Sequence, residues 1–198
     1  MTLSVTLASG SQIRRQILDG AGVIYDIETS HVDEAAIKAS MLAEKAALHD
    51  IADALAEAKA LKVSRNRTGL IIGADQIMVM DGKLYDKPKD MAEARRRLLS
   101  MRGKAHYLMG AVVICEDGRP VWRHLSKTSL YVREFTESFL DEYLAAEGEG
   151  VLTTVGAYKF EGRGAQLFSK VEGDFFSILG LSLLPVLDYL RLRGVMSS

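Results

Sequence analysis

Residues 70–85 read LIIGADQIMVMDGKLY, and this stretch decides the class of fold. Residues 70–72 form a compact apolar run that is typical of a buried strand, which we expect to end at residues 73–76. Residues 77–80 continue extended, and Asp81-Gly82 is a strong signal for a two-residue hairpin turn. The stretch therefore predicts a buried strand followed by a hairpin.

Around this stretch, helices and strands first alternate, and strands then follow one another. Asp90 and Glu93 form a capping box, which predicts a helix that runs to about Met101 and closes at Gly103. This order predicts a mixed α/β sheet rather than a purely parallel one, in a single domain over residues 1–198. The other predicted helices cover residues 12–18, 34–63 (as one or two helices with a break near His49), 137–146 and 183–193. The other predicted strands cover residues 3–7, 23–27, 83–85, 107–115, 121–125 and 129–135.

The composition is that of a folded, soluble protein. The chain has 198 residues, of which 48% are hydrophobic and 26% charged, and its net charge is −1. These values exclude a disordered chain and predict neither a nucleic-acid nor a membrane partner. The start of the chain lacks the positive charge of a signal peptide and no apolar run is long enough to span a bilayer, so a cytoplasmic location is expected. The single cysteine, Cys115, lies in an apolar run and is expected to be buried in a strand.

The first candidate site follows the first predicted strand. Ser9-Gly10-Ser11 leads into a helix that carries Arg14 and Arg15. Backbone N–H groups at the start of a helix bind anions, and arginines add charged donors for phosphate oxygens. A capped helix with two solvated arginines is the alternative, because serine caps are common.

The second candidate is Asp75, which we expect at the end of the buried strand, where α/β sheets open their binding clefts. A carboxylate there would bind Mg²⁺ or orient a water, and Lys87, just beyond the hairpin, would fold back near it. A turn-capping aspartate is the alternative. Glu34 opens the long helical region and Lys59 lies near its end; each alone is typical of a solvated helix charge.

The glycine-rich stretch 156–164 (GAYKFEGRG) is the third candidate. Its three glycines would let the backbone approach a ligand. Glu161 would accept hydrogen bonds from a base edge, and Lys159 or Arg163 would reach phosphate. A glycine-rich loop alone is a weak signal.

Other conspicuous residues are assigned structural roles. Residues 95–97 (RRR) are interpreted as the solvated face of a helix. His106, at the start of a predicted strand, is expected to be a hydrogen-bonded structural histidine. Trp122 is expected in the core or at a subunit interface.

In their order and spacing, these pieces resemble the Maf family of nucleotide pyrophosphatases. The resemblance covers essentially the whole chain, and it depends on the motifs together rather than on any one of them. The residues that carry it are Leu7-Ala8-Ser9-Gly10-Ser11, Arg14-Arg15, Val32-Asp33-Glu34, Lys59, Gly73-Ala74-Asp75-Gln76, Lys87-Pro88, Gly103 with His106, the stretch 156–164, Glu172-Gly173-Asp174 and Leu179-Gly180-Leu181.

The resemblance implies a fold and a reaction. The implied fold is an elongated mixed sheet flanked by helices on both sides, with two lobes around a deep cleft, commonly assembled as a homodimer. The implied reaction is hydrolysis of a nucleoside triphosphate to the monophosphate and pyrophosphate, assisted by Mg²⁺ or Mn²⁺.

The resemblance also implies roles for individual residues. Asp75 matches the family's proton acceptor and would bind the metal together with Glu34; a general base and a pure metal ligand both fit Asp75. Lys59 and Lys87 match polar residues of the cleft and would neutralise the triphosphate. The residues that match the phosphate-binding turn are Ser9, Ser11, Arg14 and Arg15.

Three positions bear on the base of the nucleotide. Ile13, Gln76 and Glu161 stand where the family's dTTP/UTP-cleaving branch has Arg, Thr and Gln, and where its 7-methyl-GTP branch has Trp, Gln and Glu. Gln76 and Glu161 favour the second branch, and Glu161 suits a guanine or a cationic methylated purine. Ile13 departs from both branches and cannot stack on the base as Trp would. The alternatives are a dTTP/UTP pyrophosphatase and a nucleotide-binding regulator of septum formation with little catalysis.

Overall fold

The computed structural model describes residues 3–197, which form seven strands and seven α-helices. The strands are β1 (Val5–Leu7), β2 (Asp26–Ile27), β3 (Leu70–Met80), β4 (Lys83–Tyr85), β5 (Ala105–Glu116), β6 (Arg119–Val132) and β7 (Phe168–Glu172). The α-helices are α1 (Gln12–Gly20), α2 (Glu34–Ala43), α3 (Leu48–Ser64), α4 (Met91–Met101), α5 (Glu137–Glu147), α6 (Phe175–Ile178) and α7 (Leu183–Leu192). Two short 3₁₀ helices lie at Gly148–Thr153 and Arg163–Leu167.

A single sheet contains the seven strands in the order β2-β1-β3-β5-β6-β7, with β4 paired to β3. β1 is parallel to both β2 and β3, whereas β4 is antiparallel to β3 and β7 is antiparallel to β6. The prediction of a mixed α/β sheet flanked by helices is therefore confirmed. Within residues 3–197 no helix has the length and apolarity that crossing a bilayer requires.

By its internal contacts the chain separates into two compact units. Unit 1 consists of Met1–Gln76, Met109–Ser126 and Asp174–Ser198. Unit 2 consists of Ile77–Leu108 and Lys127–Gly173. That residues 1–198 are one domain stays a prediction.

The core of unit 1 is apolar and is formed by β1, β3, β5, α1 and α7. Leu7 and Ile72 are fully buried in it, and Trp122 packs against it with its ring stacked on that of Tyr189, 5.3 Å between centroids. Cys115 on β5 is also fully buried, as predicted, and burial raises the pKa of its thiol to about 11. Of the two locations predicted for Trp122, the core and a subunit interface, the structure shows packing against the core.

The core of unit 2 contains a buried pair of polar aromatic side chains. His106 Nε2 lies 2.7 Å from the Tyr158 hydroxyl, and the Tyr158 ring meets the Phe168 ring edge-on at 4.8 Å. Burial lowers the pKa of His106 to about 4. The structural role predicted for His106 is confirmed.

The predicted helix ends agree with the structure better than the predicted strands do. The Asp90 carboxylate accepts the Glu93 N–H at 2.7 Å, and α4 begins and ends as predicted. The predicted strands 121–125 and 129–135 are wrong as separate elements, because β6 is one continuous strand from Arg119 to Val132. The break between α2 and α3 lies at residues 44–47, before His49, and β7 and α6 have no counterpart in the prediction.

Candidate functional site

A serine hydroxyl holds the turn between β1 and α1. Ser9 is buried, and its Oγ accepts hydrogen bonds from the Ser11 N–H at 3.3 Å and from Arg14 Nη1 at 3.1 Å. Ser11 is the N-cap residue of α1, but its side chain caps no helix N–H. The first-turn N–H groups of α1 therefore keep their capacity to bind an anion.

Arg14 is buried behind this turn, with 9% of its surface exposed. Its Nε donates to the Gly180 carbonyl at 2.8 Å, so that two sides of the guanidinium are held by the protein. Burial lowers the pKa of Arg14, and the negative charges of Asp75 and Glu34 oppose that effect. The alternative of a solvated arginine is wrong for Arg14, which is a fixed positive charge near two carboxylates.

Arg15 is only partly buried and is less completely bonded. Its Nη2 lies 3.5 Å from the Gly10 carbonyl oxygen, and its buried Nε has no hydrogen-bond partner within the described part of the chain. A buried donor without a partner costs free energy. Arg15 therefore keeps a donor for an anion.

Lys59 joins the two carboxylates at the centre of the site. Its Nζ lies 2.6 Å from Asp75 Oδ1 and 2.8 Å from Glu34 Oε1. The side chains of Lys59 and Asp75 are each 10% exposed, whereas that of Glu34 is 45% exposed. Together with Arg14, the site contains two cations and two carboxylates, so the charges taken out of water balance one another.

Local sequence features bring these side chains together. The Asp33 carboxylate accepts a helix N–H at 2.9 Å and thereby starts α2 with Glu34 in its first turn. Lys59 lies on the buried face of α3. This helix approaches β3 so closely at Gly73 that a Cβ there would lie 2.2 Å from the Ala56 carbonyl oxygen. Glycine alone permits that approach, which sets Lys59 beside the next part of β3.

Asp75 lies within β3 rather than at its end, so the predicted strand end is wrong. β3 continues to Met80 because residues 78–80 pair with β4. The pairing of β3 with the shorter β1 stops earlier, at Leu7 opposite Ile72. Asp75 therefore follows the point at which the neighbouring strand ends.

Gln76 holds the segment that precedes α7. Its Nε2 donates to the carbonyls of Ser177 at 2.6 Å and Ile178 at 3.2 Å. Asp174 caps α6 in the same segment by accepting the Ser177 N–H at 2.7 Å. Ile13, the other predicted specificity residue of unit 1, packs partly buried against the apolar core.

The remaining predicted site residues, Lys87 and Glu161, belong to unit 2, and both are exposed. Lys87 makes no hydrogen bond or ion pair with any other residue between 3 and 197. In unit 1 the structure brings together the predicted residues Ser9, Ser11, Arg14, Glu34, Lys59 and Asp75.

The glycines of the stretch 156–164 make room for the protein's own atoms. A Cβ at Gly156 would lie 2.2 Å from the Tyr158 ring, and a Cβ at Gly164 would lie 2.3 Å from the Lys159 carbonyl oxygen. These glycines let the loop fold tightly over a buried tyrosine. Contact of the loop with a ligand through Glu161 stays a prediction.

Arg97 is buried, so the prediction of a solvated arginine run is wrong at this residue. Its side chain is 6% exposed, and it shares the buried face of α4 with Ala94, Leu98 and Met101. Positions 94, 97, 98 and 101 have the spacing of one helix face. That spacing is the signal in the sequence that separates Arg97 from Arg95 and Arg96.

Glu34 and Asp75 are the residues able to hold a divalent metal at this site. In proteins Mg²⁺ is usually bound by one or two carboxylates together with phosphates of the substrate. Among residues 3–197 no group of three or more His, Cys, Asp or Glu side chains is arranged to hold a metal. The two carboxylates, held together by Lys59, would suit a metal ion whose other ligands are phosphate oxygens or water.

The sequence of the chain is similar over nearly its whole length to a protein family and to relatives named for an enzymatic activity. The family model described as Maf-like protein matches residues 4–193. A protein of Hyphomonas neptunium is 50% identical over 196 residues, which cover 99% of each chain. Proteins of Caulobacter vibrioides (51% identical over 193 residues, 98% of this chain and 97% of the relative) and Paramagnetospirillum magneticum (50% over 189 residues, 95% and 97%) are also similar. Each of these three relatives is named nucleoside triphosphate pyrophosphatase.

Proposed function

The chain belongs to the Maf-like family, and on that premise we propose that it is a nucleoside triphosphate pyrophosphatase. It hydrolyses the anhydride between the α- and β-phosphates and releases the nucleoside monophosphate and pyrophosphate. The observation that carries the proposal is the Lys59 ammonium, which is shared by Asp75 and Glu34 beside the buried Arg14.

Folding alone does not account for this group of charges. Taking charges out of water costs free energy, and well-packed apolar residues of the same volume are often as stable as a buried ion pair. The charged group nevertheless includes Glu34, which is 45% exposed. A partly open cluster of ionised side chains is typical of a site for a charged ligand.

The turn after β1 and its arginines bind the triphosphate in this proposal. Arg14, held by Ser9 and Gly180, needs no rearrangement to meet a phosphate charge, and such pre-organised charge favours a charged transition state. Arg15 adds the unpaired donor described above. Charge-assisted hydrogen bonds of this kind contribute about 1.5 to 3 kcal/mol each. Lys87 adds a further positive charge.

Glu34 and Asp75 would hold the divalent cation, which we propose to be Mg²⁺, with Mn²⁺ as the alternative. When bound, such an ion neutralises phosphate oxygens and acidifies a bound water. Lys59 keeps the two carboxylates oriented and balances their charge before substrate binds.

Asp75 accepts the proton of the attacking water. The water oxygen bonds to the α-phosphorus, and the bond from that phosphorus to the bridging oxygen breaks. The electron pair leaves with pyrophosphate, and the proton on the Asp75 carboxylate returns to solvent afterwards. The sequence also fits Asp75 as a metal ligand alone.

For the base we propose a purine, with 7-methyl-GTP preferred over dTTP and UTP. The support is the pair of residues Gln76 and Glu161, which match the branch of the family that acts on 7-methyl-GTP. Glu161 is an exposed carboxylate, and a negative charge attracts the cationic methylated base. Because the Gln76 nitrogen already donates to two carbonyls, its effect on the base acts through its oxygen or through the segment it holds.

The decisive experiment incubates the purified protein with Mg²⁺ and a panel of triphosphates that contains the standard nucleotides, 7-methyl-GTP and other modified bases. Pyrophosphate and single phosphate are quantified separately. We expect pyrophosphate with equimolar monophosphate from a narrow subset that includes 7-methyl-GTP, and no product when the metal is chelated.

Other outcomes would redirect the proposal. Release of single phosphate would exclude attack at the α-phosphorus. A subset restricted to dTTP and UTP would overturn the base assignment while the reaction class stands. Nucleotide binding without turnover would favour the regulator of septum formation. The homodimer and the cytoplasmic location stay predictions.

A further inference from the structure

A buried arginine of α4 holds the start of the Lys87 loop, which comprises residues 86–89. Arg97 Nη1 donates to the Asp86 carbonyl and also to the Val155 carbonyl, the latter at 2.7 Å. The Arg97 guanidinium also lies over the Tyr85 ring, 5.4 Å from its centroid. One cation thus ties the start of the Lys87 loop to a second loop of unit 2.

Glu93, one helical turn before Arg97, holds the other end of the Lys87 loop. Its Oε2 accepts the Lys89 N–H at 3.0 Å, and its Oε1 accepts Arg97 Nη2 at 2.8 Å. The hydrogen bond from Lys89 is the first cause of the lowered pKa of Glu93. The Asp86 carbonyl therefore accepts from a cation, and the Lys89 N–H donates to a carboxylate. A hydrogen bond with one charged partner is stronger than one between neutral groups.

Lys87 lies between these two attachments, and its own side chain is exposed. Lys87 is exposed and unbonded within the described residues, whereas Pro88 beside it is buried. A loop that merely connects β4 to α4 does not require a buried guanidinium, because burying that charge costs free energy. The ion pair thus fixes the backbone on both sides of Lys87, whose ammonium is exposed.

We propose that Arg97 and Glu93 are positioning residues for Lys87. Through the backbone of the Lys87 loop they determine where its ammonium meets the triphosphate, although neither residue touches the substrate. The inference rests on the proposed function, which assigns phosphate binding to Lys87, and it adds two residues to the machinery of that reaction.

The test is a double-mutant cycle on kcat/KM with the best nucleotide of the panel. Arg97→Met releases the Lys87 loop, and since a displacement of about 1 Å costs up to roughly 100-fold in rate, we expect a loss of about 10- to 100-fold. Lys87→Met should lose as much. The variant with both substitutions should be no worse than Lys87→Met alone, because Arg97 acts through Lys87. A merely structural role would lower activity in both backgrounds alike.

Arg95→Met is the matched control. Arg95 lies on the same helix and also bonds to carboxylates, Asp141 at 2.7 Å and Glu137 at 2.7 Å, but it does not touch the Lys87 loop. We expect its kcat/KM to stay within about twofold of the parent chain. If Arg97→Met does not fold, Arg97→Lys replaces it, because lysine keeps the charge and cannot bridge two carbonyls and a carboxylate in the planar geometry of arginine.

A direct readout of the attachment is hydrogen exchange at the Lys89 N–H. Glu93→Ala removes its acceptor, and exchange at this amide should accelerate at least about 10-fold while the protected amides of β3 are unchanged. Unchanged activity of Lys87→Met would contradict the role of Lys87 in the proposed function. If Lys87→Met lowers kcat/KM but Arg97→Met does not, the positioning role is overturned while the role of Lys87 stands. The same holds if the losses from the two substitutions add independently in the double variant.

Discussion

The charged side chains proposed for the reaction are held in different ways in unit 1 and in unit 2. In unit 1 the side chains proposed for the chemistry are themselves bonded to each other, as Lys59 is to Asp75 and Glu34. In unit 2 the side chains of Lys87 and Glu161 are exposed, and buried polar side chains bond to the backbone near them instead: Arg97 donates to the Asp86 carbonyl, and the Tyr143 hydroxyl accepts the Lys159 N–H. In unit 1 the same side chains therefore serve the proposed reaction and stabilise the fold, whereas in unit 2 different residues have these two roles.

This difference predicts how stability and activity respond to substitution. In unit 1 a change of a site residue affects both quantities, because a partner is left buried without its counter-charge. In unit 2 a change of an exposed site residue affects activity alone, whereas a change of a buried anchor such as Arg97 affects stability and also, through the loop it holds, activity.

The largest expected effect is that of Asp75→Asn. We expect turnover to fall at least about 1000-fold, the upper part of the range for a lost general base. The amide oxygen can still accept from Lys59, so nucleotide should still bind, as calorimetry would measure. Near-normal turnover would remove Asp75 from the mechanism.

The sharpest comparison of the two units is between Lys59→Met and Lys87→Met. Lys59→Met leaves two carboxylates without their cation, and we expect a loss of about 3 kcal/mol in the free energy of unfolding. Lys87→Met should change that free energy by less than about 0.5 kcal/mol. Urea denaturation of both variants measures the difference. Equal losses would show that the two regions are not held differently.

His106 predicts an acid-sensitive stability in unit 2. Its pKa is about 4 in the folded chain against 6.5 as the ordinary value, so the unfolded chain binds the proton more readily. The stabilisation is complete above pH 6.5 and is lost as pH falls towards 4, by about 2 kcal/mol at pH 4.5 relative to pH 7. Replacing His106 by Asn should remove this part of the pH dependence, whereas His49→Asn, at an exposed histidine, should retain it. Parallel curves for the parent chain and the His106 variant would contradict the prediction.

The last prediction concerns the contact between α3 and β3. Gly73→Ala places a Cβ 2.2 Å from the Ala56 carbonyl oxygen, so the helix must move and Lys59 with it. We expect a loss of at least about 1 kcal/mol in stability together with lower turnover. Gly20→Ala is the control, since a Cβ there meets nothing within 4 Å, and it should be neutral or stabilising by about 0.5 kcal/mol. Thermal unfolding and turnover of the two variants distinguish these outcomes.

Features that depend on neighbouring residues could be predicted from the sequence. The Asp90 cap of α4 and the Thr136 cap of α5 each use an N–H three residues further along. The Asp81-Gly82 turn has φ values of +51° and +73°, which this residue pair tolerates better than most. These elements need no information from distant parts of the chain.

Features that depend on distant residues could not be predicted in the same way. Residues 126–128 are polar, as is typical of a loop, yet β6 runs through them as a strand that lies between β5 and β7 in the sheet. Motif order identified Lys59 and Asp75 as site residues. The contact between Lys59 and Asp75 depends on the approach of α3 to β3, which the secondary-structure propensities of single residues do not predict. The spacing of α4 indicates that Arg97 faces the core, but its hydrogen-bond partners, Asp86 and Val155, come from two other loops that the spacing does not identify.

The burial of Cys115 has a practical consequence for chemical modification. It is the single cysteine of the chain, it is fully buried, and the pKa of its thiol is raised to about 11. Almost no thiolate is present at neutral pH, and thiolate is the form that reacts with alkylating reagents. A cysteine introduced in place of Lys87 would be the one reactive thiol, and alkylation with bromoethylamine would rebuild an ammonium there with sulfur in place of a methylene. The native chain thus provides an unreactive background for site-specific labelling and chemical rescue.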